Sequence, residues 1–245
     1  MHANQYIFTL IVLITALLLG MCTRPTSINS EQESQLARLA VIKVDASKIE
    51  LYNEFLREEI EASIRLESGV ITLYGVAAKD HPEHVTLFET YADSSRYQAH
   101  LTTPHFQKYK QGTTEMVKHL DLIQMQRILY HRKREISNAN TDDLYIRLIK
   151  IEIDSNTVEN FKALVTNVLL PGLESEPGVL VMYMLAEKDH PSRISTLEVY
   201  QNPDAYNKHL KTPHYQAYKE RTKTIVKSLN LIDVNPIFLG SKPAE

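Results

Sequence analysis

A stretch of fourteen residues occurs twice in the chain, and this repeat constrains the fold more than any other feature. Residues 97–110 read YQAHLTTPHFQKYK, and residues 206–219 read YNKHLKTPHYQAYK. Nine of the fourteen positions are identical, at an offset of 109 residues (214 − 105). Aligned at this offset without a gap, residues 37–126 and 146–235 share 31 identities in 90 positions. Because similarity at a fixed offset marks a repeated architecture, the sequence predicts a tandem duplication of one domain.

Length and composition agree with two domains. A chain of 245 residues accommodates two domains of ordinary size, and a hydrophobic fraction of 43% supplies a core for each. We predict an N-terminal segment over 1–36, a first domain over 37–128, a polar linker over 129–144 and a second domain over 145–240. The formal net charge of −3, with no dominant basic face, predicts that nucleic acid is not a partner.

The N-terminal segment resembles the leader of a secreted protein. Residues 6–21 form an uncharged apolar run, shorter than the roughly 20 residues of a bilayer span and close to a signal-peptide core. The run ends in Leu-Gly-Met-Cys, which resembles a bacterial lipobox, although Met21 replaces the usual small residue and no Lys or Arg precedes the run. A polar tether follows over 23–35. The sequence predicts lipidation of Cys22 and attachment to a membrane of the bacterial cell envelope, on its periplasmic or surface face. The alternatives are an uncleaved anchor or a wrongly assigned start.

Hydrophobic periodicity gives the same elements in both copies. Apolar and polar side chains alternate over 37–45 and 146–154, which predicts a strand, and helical spacing follows in each copy. In the second copy Pro171 is expected to end or kink that helix. The remaining strands are predicted over 70–76, 85–91 and 120–128 in the first copy and over 179–185, 194–200 and 229–239 in the second.

Between the third and fourth strands of each copy, two short helices are predicted to meet at a threonine. Thr103-Pro104 and Thr212-Pro213 both combine a capping residue with proline at the first helical position. Each copy therefore reads β-α-β-β-α-β, a ferredoxin-like arrangement within the α+β class. The continuously apolar second strand predicts burial of both sheet faces. The simplest cover is the sheet of the sister domain, which predicts two domains packed sheet to sheet as an intrachain pseudo-dimer.

Two motifs in each copy resemble a known family. They are E-x-Y on the third strand and the run H-L-x-T-P-H-[FY] that begins at His100 and at His209. Both domains resemble the antibiotic biosynthesis monooxygenase family, in particular its quinol-monooxygenase-like branch. The resemblance implies a dimeric α+β barrel with a pocket between sheet and helices in each unit. It also implies oxidation of phenolic or quinol-like polycycles by O₂ without a cofactor.

Relatives with the same fold degrade haem, isomerise signalling sugars or have no known reaction. Haem-degrading relatives carry a tryptophan at the helix position that His100 and His209 occupy, and this chain has no tryptophan. The resemblance therefore favours oxidation without haem and leaves the substrate open.

Histidine is the predicted catalytic base. A cofactor-free oxygenase must hold an electron-rich phenol or quinol in a dry pocket and remove a proton, so that the anion can give an electron to O₂. An imidazole suits this step because its ordinary pKa is about 6.5. We predict His100 and His209 as the base in each copy, the alternative being a helix histidine bonded to a nearby carbonyl. His105 and His214, in the first turn of the next helix, are further catalytic candidates or local caps.

The remaining site candidates surround these histidines. Glu89 and Glu198 could orient the imidazole or a substrate hydroxyl, or could tie strand to helix as buried carboxyls. The substrate-binding candidates are tyrosines that could equally be pocket wall or core, namely Tyr91, Tyr97, Tyr200 and Tyr206.

No metal and no organic cofactor are predicted. The spacing of five between His100 and His105 crosses a helix break, unlike the i, i+4 pair of a helical zinc site. The chain also lacks a glycine-rich phosphate loop.

The sequence thus predicts a cofactor-independent monooxygenase that acts with O₂ on an aromatic or quinol-type small molecule. Two alternatives use the same pocket. One is a non-catalytic module that binds a small ligand, and the other is an isomerase in which the histidines transfer protons without O₂.

Overall fold

The computed structural model describes residues 35–133, 136, 141 and 143–242. The apolar run over 6–21 and Cys22 lie outside the described residues, so the predictions for the N-terminal segment stay predictions. Among the described helices, none has the length and apolar character needed to cross a bilayer.

Each copy folds as β-α-β-β-α-α-β. The first copy consists of β1 (Leu36–Val44), α1 (Ile49–Leu66), β2 (Val70–Ala78), β3 (His84–Tyr91), α2 (Ser94–His100), α3 (Pro104–Thr113) and β4 (Val117–Arg132). The second consists of β5 (Tyr145–Ile153), α4 (Val158–Leu164), a π-helical segment (Val165–Leu169), α5 (Leu170–Leu173), β6 (Val179–Glu187), β7 (Arg193–Tyr200), α6 (Pro203–His209), α7 (Pro213–Thr222) and β8 (Val226–Ser241). The ferredoxin-like α+β prediction is confirmed, with the second helical element split in two at the predicted threonine.

The two sheets join into one closed eight-stranded barrel, in the order β1-β3-β2-β8-β5-β7-β6-β4. The two long strands make the closure. The first part of β4 pairs with β1 and its last part pairs with β6 of the other copy, while β8 pairs in the same way with β5 and then β2. Strand β4 therefore runs through Arg132, four residues into the segment predicted as a linker over 129–144. Those four residues belong to the barrel because each copy completes the other's sheet.

Three apolar clusters follow from this architecture. The inner faces of both sheets meet in one cluster, which includes Tyr74, Phe88 and Tyr183. A second cluster lies between the first sheet and α1, and a third between the second sheet and the helical run 158–173. Strands β2 and β6 are buried on both faces, as their continuous apolar sequence predicts. The intrachain pseudo-dimer is thus confirmed.

The first helical elements differ between the copies. Helix α1 is regular over 18 residues, whereas the equivalent run in the second copy widens into the π-helical segment before Pro171. Its buried residues accordingly recur every four positions, at Phe161, Val165, Leu169 and Leu173. Pro171 removes a backbone donor, so an ordinary helical turn cannot close at this point.

Candidate active site

Helix capping places a pair of histidines in each copy. In the second copy the Asn202 side chain accepts a hydrogen bond from the backbone N–H of Ala205, and Thr212 does the same for Tyr215. The Thr212 hydroxyl also donates to the carbonyl of His209 at 2.7 Å, which ties the end of α6 to the start of α7. This hydrogen bond fixes the angle between the two short helices. His209 and His214 therefore lie close together, with ring centroids 6.0 Å apart.

A carboxylate joins each pair of histidines. Glu176 Oε1 lies 2.8 Å from Nδ1 of His209 and 2.6 Å from Nε2 of His214. In the first copy Glu67 Oε1 lies 2.9 Å from Nδ1 of His100 and 2.6 Å from Nε2 of His105. We call these groups the second and first Glu-His-His trios. His209 is 1% exposed and His100 is 3% exposed, so both rings lie in the protein interior.

The charge state of the glutamate fixes the tautomers. Burial would raise the pKa of Glu176, but hydrogen bonds from both histidines outweigh burial and hold the pKa below its ordinary value. An ionised carboxylate can only accept, so Nδ1–H of His209 and Nε2–H of His214 must both donate to it. In neutral His209 the other nitrogen, Nε2, then carries a lone pair. That atom is buried and has no hydrogen-bond partner among the described residues.

A cavity of about 590 Å³ lies in the second copy, between the sheet and the helices, and His209 lines it. Its wall is largely apolar and includes Leu169, Met182, Met184, Tyr215 and Tyr218. This volume lies within the range of small-molecule sites. The cavity therefore offers a ring-sized space that is lined in part by the imidazole of His209.

In the first trio, the nitrogen of His100 that does not bond to Glu67 lies near a further carboxyl group. Glu59 Oε1 lies 3.7 Å from Nε2 of His100 and accepts a 2.7 Å hydrogen bond from Ser63. Burial alone would lower the pKa of His100, but the hydrogen bond to Glu67 and the charge of Glu59 outweigh it and raise that pKa above its ordinary value. His100 is thus held toward its protonated form, which makes it a poorer base than a neutral imidazole.

The predicted carboxyl groups lie on the third strand of each copy, as expected, and bond to tyrosines. Glu89 and Glu198 accept hydrogen bonds from the hydroxyls of Tyr91 (3.1 Å) and Tyr200 (2.9 Å) on their own strands. Burial raises the pKa of both carboxyls, which favours their neutral form. They make no hydrogen bond to the histidines in the described structure, and the hypothesis that they orient a substrate hydroxyl stays a prediction. Glu67 and Glu176 make the contact with the histidines.

The four tyrosine candidates pack around the two histidines. Tyr200 and Tyr206 line the cavity of the second copy, and the Tyr200 ring lies 5.6 Å from that of His209. In the first copy the Tyr91 ring lies 5.3 Å from His100 and 5.1 Å from Tyr97.

Sequence reasoning missed Glu67 and Glu176, although a signal for them was present. The two residues are 109 apart, and each lies two positions before the repeated glycine, in E-x-G at 67–69 and 176–178. They precede their histidines by 33 residues, which no local spacing motif covers. The identity between copies could have identified them, because both positions remain glutamate next to a first helical run whose sequence has diverged.

Each trio also contains residue types that could hold a divalent metal ion. The candidate ligand atoms of each trio lie within 4.8 Å of one another, and two histidines with one carboxylate form a known donor set for transition metals. The spacing of His100 and His105 takes no account of Glu67, so the expected absence of a metal stays a prediction. In both trios one carboxylate oxygen lies at hydrogen-bonding distance from both rings. This arrangement is expected when hydrogen bonds link the three side chains.

Comparison with known proteins agrees with this architecture. The sequence profile of the family described as antibiotic biosynthesis monooxygenase matches residues 36–112 and 144–221. A proposed monooxygenase from Lactobacillus acidophilus NCFM superposes with a TM-score of 0.78 at 22% identity, over 85% of this chain and 96% of that one. One from Fusobacterium nucleatum gives a TM-score of 0.76 at 16% identity, over 85% and 95% of the two chains. None of the curated proteins matches this chain in sequence.

Proposed function

The chain belongs to the antibiotic biosynthesis monooxygenase family, and on that premise we propose that its second copy is a cofactor-independent monooxygenase for a hydroxylated aromatic small molecule. The observation that carries the proposal is the buried Nε2 of His209. This atom has no hydrogen-bond partner among the described residues, it belongs to a ring that lines a cavity, and its tautomer is set by Glu176.

The proposed reaction begins with proton transfer. A phenolic hydroxyl of the substrate donates to Nε2 of His209, and the imidazolium that forms is stabilised by the carboxylate of Glu176. Burial of the ring excludes water, so the charge of the phenolate is not solvated and its electrons are available to O₂. The substrate supplies all the electrons. One oxygen atom enters the ring as a carbonyl and the other leaves as water, which balances for a phenol oxidised to a quinone.

His214 has a supporting part in this proposal. It donates to the same oxygen of Glu176, which keeps that carboxylate ionised and in place while His209 is protonated.

The structure of an anthrone oxidase-like protein shares the fold, with a TM-score of 0.58 at 11% identity. At that identity it supports the fold and leaves the substrate to be measured.

Oxygen uptake tests the proposal. The purified full chain in detergent is supplied with a panel of hydroquinones and polycyclic phenols in an oxygen electrode, with heat-denatured protein as the autoxidation control. We expect uptake with at least one compound, a loss of roughly 100- to 10,000-fold in His209→Gln, and little change in His100→Gln. Uptake that survives a chelator supports a metal-free reaction. No uptake with any compound, or uptake that His209→Gln leaves unchanged, would contradict the proposal.

The same assay separates the two alternatives. Turnover under anaerobic conditions would indicate isomerase-type proton transfer. Thermal stabilisation by a ligand without turnover would indicate a binding module.

For the N-terminal segment we propose a lipid anchor at Cys22. It is supported by the apolar run over 6–21, the Leu-Gly-Met-Cys sequence and the polar tether that follows. Metabolic labelling with a radioactive fatty acid should label the wild-type chain and fail to label Cys22→Ser. Equal labelling of both would contradict it.

A further inference from the structure

The cavity beside His209 contains a second buried polar group that the proposed proton transfer does not use. Arg147 is 8% exposed and lines the cavity. One Nη of its guanidinium donates to the hydroxyl of Tyr206, and the group lies 4.9 Å from the centroid of that ring. Its Nε has no hydrogen-bond partner among the described residues, and the half-exposed Asp233 lies 3.5 Å from it. A buried N–H on a cavity wall without a partner is a donor available to a ligand.

Two carboxyl groups lie across from Arg147 in the sheet, and the half-exposed Asp233 on β8 forms an ion pair with it. Glu198 lies directly across from Arg147 in the β5–β7 pairing. Its Oε2 accepts from Tyr200, and burial raises its pKa above the ordinary value. The Nε–H of Arg147 is hydrogen-bonded to neither carboxyl, so a ligand carboxylate that accepts from it would satisfy a buried donor.

The mouth of the cavity carries an excess of positive charge. Lys219, Glu220 and Lys223 line it and are exposed, which leaves one positive charge in excess. The first copy has threonine, Thr114, at the position of Lys223. The excess positive charge would attract an anionic ligand to this mouth.

We propose that Arg147 forms an anion-binding subsite and that the ligand of the second copy is an aryl carboxylic acid. Its carboxylate accepts hydrogen bonds from the guanidinium of Arg147, and its ring packs between Met182, Met184 and Tyr215. The part of the proposal that places a ring hydroxyl at His209 rests on the proposed function, whereas the carboxylate subsite does not.

A matched pair of probes tests the subsite without turnover. 6-Hydroxy-2-naphthoate and its uncharged carboxamide have nearly the same shape and differ in the charge of one group. Their equilibrium affinities for the full chain are measured by calorimetry. We expect the carboxylate to bind roughly 10- to 100-fold more tightly, the range for a hydrogen bond to a charged group. In Arg147→Gln this preference should disappear, and in Arg147→Lys it should be smaller than in the wild type, because the planar fork is lost while the charge remains.

Arg38 supplies the control. It is the equivalent arginine of the first copy, it lies 4.3 Å from the ring centroid of Tyr97, and its Nε also has no partner among the described residues. Arg38→Gln should leave the preference unchanged. Equal affinity of the two probes for the wild type, binding of neither at millimolar concentration, or loss of the preference in Arg38→Gln would each overturn the proposal. Selective carboxylate binding without oxygen uptake would support the subsite and refute the monooxygenase.

Discussion

The two copies contain the same Glu-His-His trio but differ in what lies beyond it. In the second copy Nε2 of His209 is buried without a hydrogen-bond partner among the described residues, and its ring lines a cavity of about 590 Å³. In the first copy the carboxylate of Glu59 lies 3.7 Å from Nε2 of His100. The equivalent residue in the second copy is Val168. The two trios are therefore alike in their hydrogen bonds, but the second nitrogen of the buried imidazole has different surroundings in each copy.

The packing of the first helical element explains this difference. A side chain at Gly75 would lie 3.3 Å from Ile60 and 3.4 Å from Leu56, so α1 packs directly on the strand there. The second copy has Met184 at the equivalent position, and its side chain lines the cavity. With Met184 in that place the helical run cannot approach the strand as closely as α1 does. The run 158–173 contains the π-helical segment where α1 is regular.

The largest effect is expected at Gly172, which makes room for His214. A Cβ at this position would lie 2.1 Å from Cγ of His214, whereas the first copy has Ser63 there. Gly172→Ala should push the ring from Glu176 and cost about 1–3 kcal/mol of unfolding free energy. At an ordinary helical position the same change would stabilise by roughly 1 kcal/mol, so the sign identifies the clash.

Thermal unfolding and oxygen uptake check this prediction. The control is Ser63→Ala, which removes the hydrogen bond to Glu59 without adding volume. A higher unfolding temperature for Gly172→Ala would contradict the close contact. An unchanged oxygen uptake in that variant would show that His214 is dispensable.

The next prediction compares how much the glutamate of each trio contributes to activity. Glu176→Gln removes the charge that stabilises the imidazolium of His209, and Glu67→Gln does the same for His100. We expect a loss of roughly 10- to 100-fold in kcat for Glu176→Gln, because one hydrogen bond to a charged group contributes about 1.5–3 kcal/mol. Glu67→Gln should retain most of the activity. Equal losses in the two variants would show that both copies catalyse, and would break the comparison.

The fold could be predicted from the sequence to a large extent, since each of its determinants is local or repeated. The offset of 109 defined the two units, and the Thr-Pro pairs at 103–104 and 212–213 defined where the helices meet. The exchange of β4 and β8 between sheets could not be predicted, because a strand that continues past its own sheet has the same alternation as one that ends there.

The candidate site was predicted in part, for a similar reason. The histidines carry a motif, but Glu67 and Glu176 reach them through tertiary packing across 33 residues. The difference in packing between the copies depends on side-chain volume at positions such as Gly75. The copies are not identical there, so their alignment does not indicate how closely helix and strand pack. The residues that the repeats share were therefore predictable, and the different packing around the two trios was not.

A smaller effect is expected from a tyrosine pair that is present in the first copy alone. The Tyr52 hydroxyl lies 2.8 Å from that of Tyr109, and the second copy has Phe161 at the same position. Tyr52→Phe should cost about 1–2 kcal/mol, since the Tyr109 hydroxyl is left without this partner. Urea unfolding measures the change. The reciprocal Phe161→Tyr places a hydroxyl near Tyr218 on the cavity wall, and we expect it to weaken ligand binding. A neutral Tyr52→Phe would contradict the role of this pair.

The smallest effect concerns the pH dependence of stability in the first copy. The pKa of His100 is raised above its ordinary value of 6.5 because the hydrogen bond to Glu67 and the charge of Glu59 outweigh burial. A group whose pKa is raised on folding stabilises the protein fully below the unfolded pKa, and this contribution is lost as pH rises through the folded pKa. Glu59→Gln removes one of the charges, so the pKa of His100 should fall. It also removes the Glu59 carboxyl, whose own pKa is raised by burial and which therefore contributes to the same slope. Unfolding temperatures measured from pH 6 to 9 should then decline less steeply in Glu59→Gln than in the wild type.

Glu58→Gln, at an exposed carboxylate paired with Lys108, should keep the wild-type slope, because an exposed pair contributes little. Parallel curves for Glu59→Gln and the wild type would mean that Glu59 does not act on His100, and the difference between the two trios would then rest on cavity shape alone.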